Sequence, residues 1–481
     1  MKKVWKYIII SLLLLLGLCC IGILYLFFIP NSTLFHITYV NHNKKYHSAY
    51  YQADEVSHIS LNSRKYNVNV LSSEEDTIYV ELYCNSFGFV LTKNENPEIS
   101  SFLRDQVLTF NIKETYGFAI HNESYVNLYL PKSKTFNLEL TNEKAETKIK
   151  SSDVHINNLS YKTNKGDFKF VAGTIDGTLL LNLNKSHFEI SPNVQTNSNN
   201  VELKLTTGRF KSNNILGNVE IKENKRGVIS INECYNLRAI TATSGGQIYI
   251  NKTSFVNVVS SDTIINIDTV EHVADITLTK SGSITINNLQ DNSFLATTDG
   301  KIVVNNAASS LVLSSTHGNI LVKSAKDKVN VSTQYGTAEI YFSEDATNRT
   351  LYAKIHDGKL IANGVESVGS ADIDSSQGIN ITGNGRINLT MKNVLGTNKI
   401  NGKNGNIFII VESTAEYILK TSSSTGNVRV NLCQISNSKG YTTKSEVETK
   451  VNCSSSSNNL TVRTENGDLT LLDNIMFENG F

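Results

Sequence analysis

This chain of 481 residues has little proline, with only 4 present. Helical periodicity is also missing after about residue 30, where apolar residues alternate with polar ones in short runs. This second absence excludes a helical fold for most of the chain. Asparagine, in contrast, makes up about one residue in eight and is interleaved with regularly spaced aliphatic residues. That interleaving excludes a disordered low-complexity tract and, with the scarcity of proline, favours β structure with many corners.

An excess of either charge is absent as well, since 45 Lys and Arg residues stand against 44 Asp and Glu residues. Lys and Arg form no dense cluster along the chain. The sequence therefore lacks the electrostatic signal of nucleic-acid binding, and it predicts no nucleic-acid partner. Strong binding to anionic lipid is unsupported for the same reason.

Known catalytic and metal-binding motifs are missing. The chain contains no His-Glu-x-x-His, no paired Cys-x-x-Cys and no Gly-x-Ser-x-Gly. The calcium-binding repeat Gly-Gly-x-Gly-x-Asp is absent too, because Gly245-Gly246 continues as Gln-Ile. We therefore predict no catalytic residue, no metal site and no cofactor.

What the chain does contain is a short pattern that returns about every eighteen to twenty-two residues from Tyr161 onward. It reads apolar-x-apolar-x-Ser/Thr-x-x-Gly-x-apolar-x-apolar, and residues 311–322 and 329–340 are two successive copies. The two alternating runs predict strands, and the Ser/Thr-x-x-Gly segment between them predicts a corner. We expect glycine there because a corner needs a residue that tolerates positive φ. A fixed period of this size indicates stacked repeats.

The predicted fold class is therefore all-β, a parallel β-solenoid of roughly 16 coils with a β-rich N-terminal cap, preceded by one transmembrane helix. Irregular stretches at 383–404 and 434–457 predict loops that leave the stack. The predicted corner glycines are Gly166, Gly208, Gly227, Gly246, Gly282, Gly300, Gly318, Gly336, Gly358, Gly378, Gly405, Gly426 and Gly467.

An apolar run at residues 7–29 is long enough to cross a bilayer as one helix. Three lysines precede it and no cation follows until Lys44, so the positive-inside rule places residues 1–6 in the cytoplasm. A cleaved signal peptide is the alternative, but its apolar run is normally 7–15 residues and ends in a small-x-small site. We expect a single-pass cell-membrane protein with the bulk of its chain outside the cell.

The remaining domain boundaries follow from changes in the length and aromatic content of the strand-like runs. Residues 31–140 have longer, more aromatic strand-like runs and predict a β-rich N-terminal cap, because an open solenoid end needs a cover. Residues 141–472 carry the solenoid repeats. Residues 473–481 are expected to form a C-terminal cap.

Two segments carry a resemblance to a known family. Residues 126–131 form a strand that ends in Leu-Pro, and residues 163–170 and 464–471 follow the pattern Ser/Thr-x-x-Gly-Asp-apolar-x-apolar. This arrangement resembles a bacterial family of membrane-anchored, adhesin-like β-solenoid proteins, over most of the chain after residue 55. The resemblance implies a cell-surface location and an adhesive or envelope role, and it marks no catalytic residue.

The stacked arrangement also directs attention to residues that lie far apart in sequence. His317 and His356 each stand beside a corner glycine two coils apart, and we interpret them as solvated corner residues. A metal or catalytic pair is the alternative. Acidic residues beside corner glycines are explained by turn preference, with calcium binding or glycan chemistry as the alternative. They are Asp167, Asp299, Asp357 and Asp468.

The six cysteines separate into three groups. Cys19 and Cys20 lie in the apolar N-terminal run, and Cys84 and Cys234 are predicted to be buried small apolar residues. Cys433 and Cys453 are twenty residues apart, which is one coil, and are therefore a candidate disulfide.

The leading functional hypothesis is a membrane-anchored cell-surface β-solenoid, an adhesin or envelope scaffold without catalysis. Its partners would be the membrane and a surface polysaccharide or protein, bound through many weak contacts along a repetitive polar face. A glycan-active enzyme, either a lyase or a hydrolase, remains an alternative, because β-helices host such enzymes. An extracellular sensor or accessory subunit of a membrane partner is the third.

Overall fold

The computed structural model describes residues 10–22, 38–90, 97–113, 118–192, 194–196, 200–240, 245–356, 359–365, 367–375, 379–383, 386–394, 396–432, 441–444, 446–452 and 457–478. The chain divides into two compact units. Unit 1 comprises Met1–Ile175 with Asn193–Gln195, and unit 2 comprises Asp176–Pro192 with Thr196–Phe481.

The described elements are almost all strands. Unit 1 contains β1 (Thr38–His47), β2 (Tyr51–Gln52), β3 (His58–Ser63), β4 (Asn67–Ser73), β5 (Thr77–Val90), β6 (Glu98–Arg104), β7 (Val107–Lys113), β8 (Phe118–Asn122), β9 (Tyr125–Pro131), β10 (Thr135–Asn142), β11 (Thr147–Ile149), β12 (His155–Thr163), β13 (Phe168–Phe170) and β14 (Thr174–Ile175). It also contains helix α1 at residues 10–22 and a 3₁₀ turn at Ala53–Glu55.

The later strands are β15 (Thr178–Leu183), β16 (Ser186–Ile190), β17 (Gln195–Thr196), β18 (Asn200–Leu205), β19 (Gly208–Asn224), β20 (Val228–Ile240), β21 (Gln247–Ser260), β22 (Ile264–Val270), β23 (Ala274–Leu278), β24 (Ser283–Leu289), β25 (Ser293–Thr297), β26 (Lys301–Ala307), β27 (Leu311–Ser315), β28 (Ile320–Ala325) and β29 (Val329–Thr333).

The chain continues with β30 (Thr337–Phe342), β31 (Thr350–His356), β32 (Lys359–Val365), β33 (Ser367–Ser375), β34 (Ile379–Gly383), β35 (Ile387–Val394), β36 (Thr397–Asn404), β37 (Ile407–Val411), β38 (Tyr417–Ser423), β39 (Val428–Asn431), β40 (Tyr441–Lys444), β41 (Glu446–Val451), β42 (Asn459–Asn466), β43 (Leu469–Asp473) and helix α2 (Asn474–Glu478).

In unit 1 the order of turns in space differs from their order in the chain. Strand β3 pairs in parallel with both β7 and β10, and β4 pairs in parallel with both β9 and β11. The turn built from β3 and β4 therefore lies between two turns that come later in sequence. The outermost turn is covered by antiparallel strands, β6 on β7 and β5 on β9, so its edges are paired. Parallel stacking thus begins at His58, inside the segment predicted to be a cap.

Unit 2 is a parallel β-solenoid with two ladders of strands. One ladder aligns Leu295, Leu313 and Val331, and the other aligns Ile302, Ile320 and Ala338. All six side chains are buried, because every second residue of each strand points into the narrow interior.

The regular part of unit 2 is shorter than the sequence suggested. From β18 to β37 the turns follow the order of the chain, and the solenoid has about 12 turns. The prediction of roughly 16 coils was therefore too high.

The C-terminal turn of unit 2 breaks that order. Its strands β42 and β43 lie between the turn of β36 and β37 and the turn of β38 and β39. The outermost turn, β38 with β39, is covered by the antiparallel strands β41 and β40. Helix α2 packs against β37 and β43 and does not cover the outermost turn. The ring of Phe477 lies 6.2 Å from that of Phe408.

Both predicted loops were therefore wrong. Residues 383–404 contain the strands β35 and β36, and the described part of 434–457 contains β40 and β41. These segments lack a Ser/Thr-x-x-Gly corner. Strands β40 and β41 are covering strands that make no corner. Strands β35 and β36 lie within the stack, but the corner after β36 has Gly402 in place of Ser or Thr, so the repeat pattern does not detect it.

Corner glycines are needed for two different reasons. At Gly282 the backbone φ is +126°, a conformation that side chains disfavour, as the sequence argument expected. At Gly318 φ is not positive, yet a Cβ atom would lie 1.6 Å from the carbonyl oxygen of Gly300 in the neighbouring turn. There glycine is required by the close approach of stacked corners. Gly358 and Gly378 lie outside the described residues.

The Ser or Thr of the repeat completes the corner. The Oγ atom of Ser315 accepts a hydrogen bond from the backbone N–H of Gly318 at 2.8 Å and donates one to its carbonyl at 3.0 Å. Thr297 and Thr333 accept the equivalent bond from Gly300 and Gly336. The hydroxyl satisfies a buried backbone donor, which explains why Ser or Thr stands three residues before glycine.

Within the described residues no helix is long and apolar enough to cross a membrane. The predicted span at 7–29 is described only in part, as the helix α1. Cys433 and Cys453 lie outside the described residues, whereas Cys84 and Cys234 are buried as predicted. Burial raises the pKa of the Cys234 thiol to about 11, which keeps it protonated at neutral pH.

We expect Gly318→Ala to destabilise the folded protein by about 1–3 kcal/mol, because the new Cβ overlaps the Gly300 carbonyl and forces the turns apart. Gly402→Ala is the matched control, since there the nearest atom is the flexible Cδ1 of Ile407 at 2.9 Å. Thermal unfolding followed by circular dichroism measures both variants. Equal midpoints for the two variants would contradict the close-approach argument.

Candidate binding face

A column of amide side chains runs along the outer surface of unit 2. From Asn232 onward each member follows the second apolar residue of its strand, so stacking places the members above one another at about 4.8 Å. We call this set the amide column; its members are Asn214, Asn232, Asn251, Asp268, Asn287 and Asn305.

Hydrogen bonds join most of the column. The Nδ2 of Asn251 donates to Oδ1 of Asn232 at 2.7 Å. Further along, Asn287 donates to Oδ1 of Asp268 at 2.8 Å, and Asn305 donates to Asn287 at 2.5 Å. Such ladders hold exposed polar side chains in fixed positions, which reduces the entropy lost on binding a ligand.

A shallow groove of about 540 Å³ lies in the middle of the column. Its volume falls within the range of small-ligand sites. Tyr249 lies at this groove with 38% of its surface exposed, and its hydroxyl donates to Gln247. The lining residues are Tyr249, Ile250, Asn251, Asn266, Ile267, Asp268, Thr285 and Asn287. The groove therefore combines an aromatic ring with amide, hydroxyl and carboxylate groups, a set that suits a polar, hydroxyl-bearing ligand.

Charged side chains flank the amide column. Lys252 lies 2.7 Å from Glu271 and 3.6 Å from Glu233. The hydrogen bond from Lys252 holds the pKa of Glu271 below its usual value. Because these groups are exposed, the pairs add little to stability, and they leave no net positive surface here for a polyanion.

The histidines singled out in the sequence meet through an aromatic residue. Tyr335 stacks on His317 at 4.9 Å and contacts His356 edge-on at 6.3 Å. The Nδ1 of His317 lies 2.9 Å from Asp299. The two imidazoles are thus separated by a ring, so they do not share a ligand. Among the residues that the structure describes, no group of three or more His, Cys, Asp or Glu is placed to hold a metal.

Two of the acidic corner residues bind a backbone N–H group or a neighbouring side chain. Asp468 accepts a hydrogen bond from the backbone N–H of Asn427 at 2.8 Å, and Asp299 pairs with His317. Asp357 lies outside the described residues. Turn and pairing roles account for Asp299 and Asp468 without a ligand.

Unit 1 presents a separate aromatic cluster on its antiparallel cover. Tyr79 stacks on Tyr129, with ring centroids 4.6 Å apart, and the ring of Tyr50 is tilted against it at 4.7 Å. The hydroxyl of Tyr129 donates to Glu81 at 3.1 Å, and Lys45 lies 2.6 Å from the same carboxylate. Burial, together with Tyr129 and Glu81, raises the pKa of Tyr79 to about 12.

Asparagines at predicted strand ends are explained from the sequence alone as turn residues. The signal that identifies the amide column is their spacing of 17–19 residues, which matches the turn length. Asp268 falls in the same register and was not singled out, because one aspartate in an asparagine series is visible only after alignment by turns.

The fold and this surface define a class: a parallel β-solenoid that displays fixed polar columns. The family model described as Toastrack DUF4097 matches residues 56–363, which is more than half of the sequence. The chain therefore belongs to the Toastrack DUF4097 family, and the predicted family resemblance is confirmed.

Two further comparisons complete this result. No match is found among curated protein sequences. Among solved structures, the chain is similar to a candidate cell-adhesion protein from Clostridium sporogenes ATCC 15579, with 9% identity and a TM-score of 0.20. That similarity covers 89% of this chain and 99% of the other.

We expect the raised pKa of Tyr79 to appear in the alkaline stability of the protein. A group whose folded pKa exceeds its unfolded value of about 10 stabilises the fold below pH 10, and that contribution is lost as the pH rises toward 12. The unfolding free energy of the wild type should therefore fall more steeply between pH 10 and 12 than that of Tyr79→Phe. Denaturant titrations at several pH values measure both slopes, and parallel slopes would contradict the assignment.

Proposed function

We propose that this protein is a cell-surface adhesin or envelope scaffold, held at the membrane by residues 7–29 and acting without catalysis. The observation that carries the proposal is the amide column with its groove, a fixed polar surface repeated over several turns. Repetition of one contact along a polymer gives binding by many weak interactions. The sequence resemblance of residues 126–131, 163–170 and 464–471 to membrane-anchored, adhesin-like β-solenoid proteins supports the same conclusion.

The ligand class that fits best is a surface polysaccharide. The groove is shallow and polar, whereas a protein interface usually has an apolar, aromatic-rich centre. A surface protein remains the competing ligand and is included in the experiment below.

Membrane anchoring through residues 7–29 predicts the location of the protein after cell fractionation. The double variant Leu13→Arg with Leu16→Arg should leave the membrane fraction, because each central arginine disfavours insertion by about 3 kcal/mol. The double variant with alanine at both positions is the control and should stay with the membrane. Recovery of the arginine variant in the membrane fraction would contradict anchoring by this segment.

Ligand binding is tested with full-length protein in detergent, passed over immobilised envelope polysaccharide and over solubilised surface protein. We expect saturable retention on the polysaccharide, with the polymer recovered at its original length. Asn287→Ala removes an amide that lines the groove and should weaken retention about fivefold, the effect of one hydrogen bond lost to the ligand. Asn257→Ala, on an exposed position of the other ladder, should leave retention unchanged.

The other outcomes of this experiment separate the remaining functions. Shortened polymer would contradict a non-catalytic role and indicate a glycan-cleaving enzyme. Retention on neither ligand would contradict autonomous adhesion and favour a subunit that works through a membrane partner.

A further inference from the structure

The hydrogen bonds of the amide column all run in one direction along the solenoid. Each asparagine donates its Nδ2 hydrogen to the Oδ1 atom of the preceding turn, as Asn232 does to Asn214 at 3.3 Å and Asn251 does to Asn232 at 2.7 Å. Beyond the groove, Asn287 and Asn305 donate in the same direction. An uninterrupted column therefore satisfies one donor and one acceptor of each amide inside it, whereas the Oδ1 atom of the last member, Asn305, accepts no bond from the residues that the structure describes.

Asp268 interrupts this series. The register of β21 with β22 pairs Ile250 with Ile267 and Lys252 with Thr269, so Asp268 follows Asn251 in the column. A carboxylate has no N–H group and accepts only. Asp268 accepts from Asn287 and from the hydroxyl of Thr269 at 3.1 Å, but it has no hydrogen to give to Asn251.

Acceptors therefore face each other across one turn. Among the described residues no hydrogen-bond donor reaches Oδ1 of Asn251, and the Asp268 carboxylate has further lone pairs beyond its two bonds. This interruption coincides with the groove, which both residues line together with Tyr249. The site is complementary to a group that supplies hydrogen-bond donors between two neighbouring turns.

Two kinds of group can satisfy facing oxygen acceptors: a cation, which the oxygens coordinate, and a set of hydroxyls, which donate hydrogen bonds to them. The described residues here contribute a single carboxylate, and no metal-ligand cluster lies among them. Hydroxyls are favoured because the remaining lining suits a sugar. Thr285 and Asn266 both donate and accept, and the half-exposed Tyr249 ring offers an apolar face of the kind that packs on sugar C–H groups.

We propose that this interruption is a subsite for one neutral hexose unit of a polysaccharide. Sugar hydroxyls donate to Oδ1 of Asn251 and to the carboxylate of Asp268, and the Tyr249 ring packs against the sugar. This inference rests on the proposed adhesive function and specifies where its ligand binds. No covalent step is involved.

Asp268→Asn tests the subsite with opposite effects on folding and binding. The new amide donates to Asn251 and completes the column, so the thermal midpoint should stay the same or rise. Binding should weaken about tenfold, because the sugar loses the charged acceptor and Asn251 is occupied. Asp275→Asn is the matched control, as it removes the same charge from an exposed position on β23 and should bind as the wild type does.

The probes are immobilised dextran, mannan and galactan, with alginate as a polyanion and Ca²⁺ alone as a cation, each tested on full-length protein in detergent. The inference is supported if at least one neutral polymer binds, if Asp268→Asn weakens it, and if Tyr249→Phe retains binding while Tyr249→Ala loses it. Equal binding by Asp268→Asn and the wild type would overturn the subsite while leaving the adhesive function in place.

Binding to Ca²⁺ but to no neutral polymer would overturn the choice of a sugar over a cation. If none of the probes binds but envelope polysaccharide or surface protein retains the protein, the hexose subsite is wrong and the adhesive function stands. If envelope material is not retained either, both are wrong.

Discussion

Parallel backbone pairing between successive turns is the constraint on which the rest of unit 2 depends. It fixes neighbouring strands at about 4.8 Å over the whole length of a turn, corners included. At a corner this spacing leaves no room for a side chain, and the position where Gly318 would carry a Cβ lies 1.6 Å from the Gly300 carbonyl. The hydroxyl of Ser315 then accepts a hydrogen bond from the backbone N–H of Gly318, which has no strand partner at the corner. The repeat motif is thus a consequence of stacking.

The same spacing turns residues that are distant in sequence into neighbours. Inside, it aligns aliphatic side chains such as Leu295 and Leu313 into the core. Outside, it aligns amides at hydrogen-bonding distance, as with Asn251 and Asn232. A single substitution within such a column changes the chemistry at one point while the backbone stays regular. Asp268 is an example, because its backbone pairing continues although its side chain cannot donate.

The last turn of a parallel stack has unpaired backbone groups at its edge. Each unit covers one such edge with antiparallel strands. In unit 1 the antiparallel strands β5 and β6 cover the outermost turn, and in unit 2 β40 and β41 do so. Each cover accompanies a change in turn order, since β3 and β42 lie inside the stack beside strands that are distant in the chain. In unit 2 the outer turn (β38, β39) and its cover precede the inner turn (β42, β43) in the chain, whereas in unit 1 the inner turn (β3, β4) comes first.

The sequence by itself determined the fold class, the family and corners such as that of Gly318, because period-2 alternation and a repeated Ser/Thr-x-x-Gly segment are local signals. It also contained the amide column, as asparagines that recur once per turn. Only the tertiary structure decided that β42 and β43 lie between earlier turns, because any turn with an apolar interior stacks equally well on several others. It also decided that Asp268 follows Asn251 with no donor between them, because that relation depends on the register of β21 against β22. Register is a property of two strands together, so neither strand's sequence contains it.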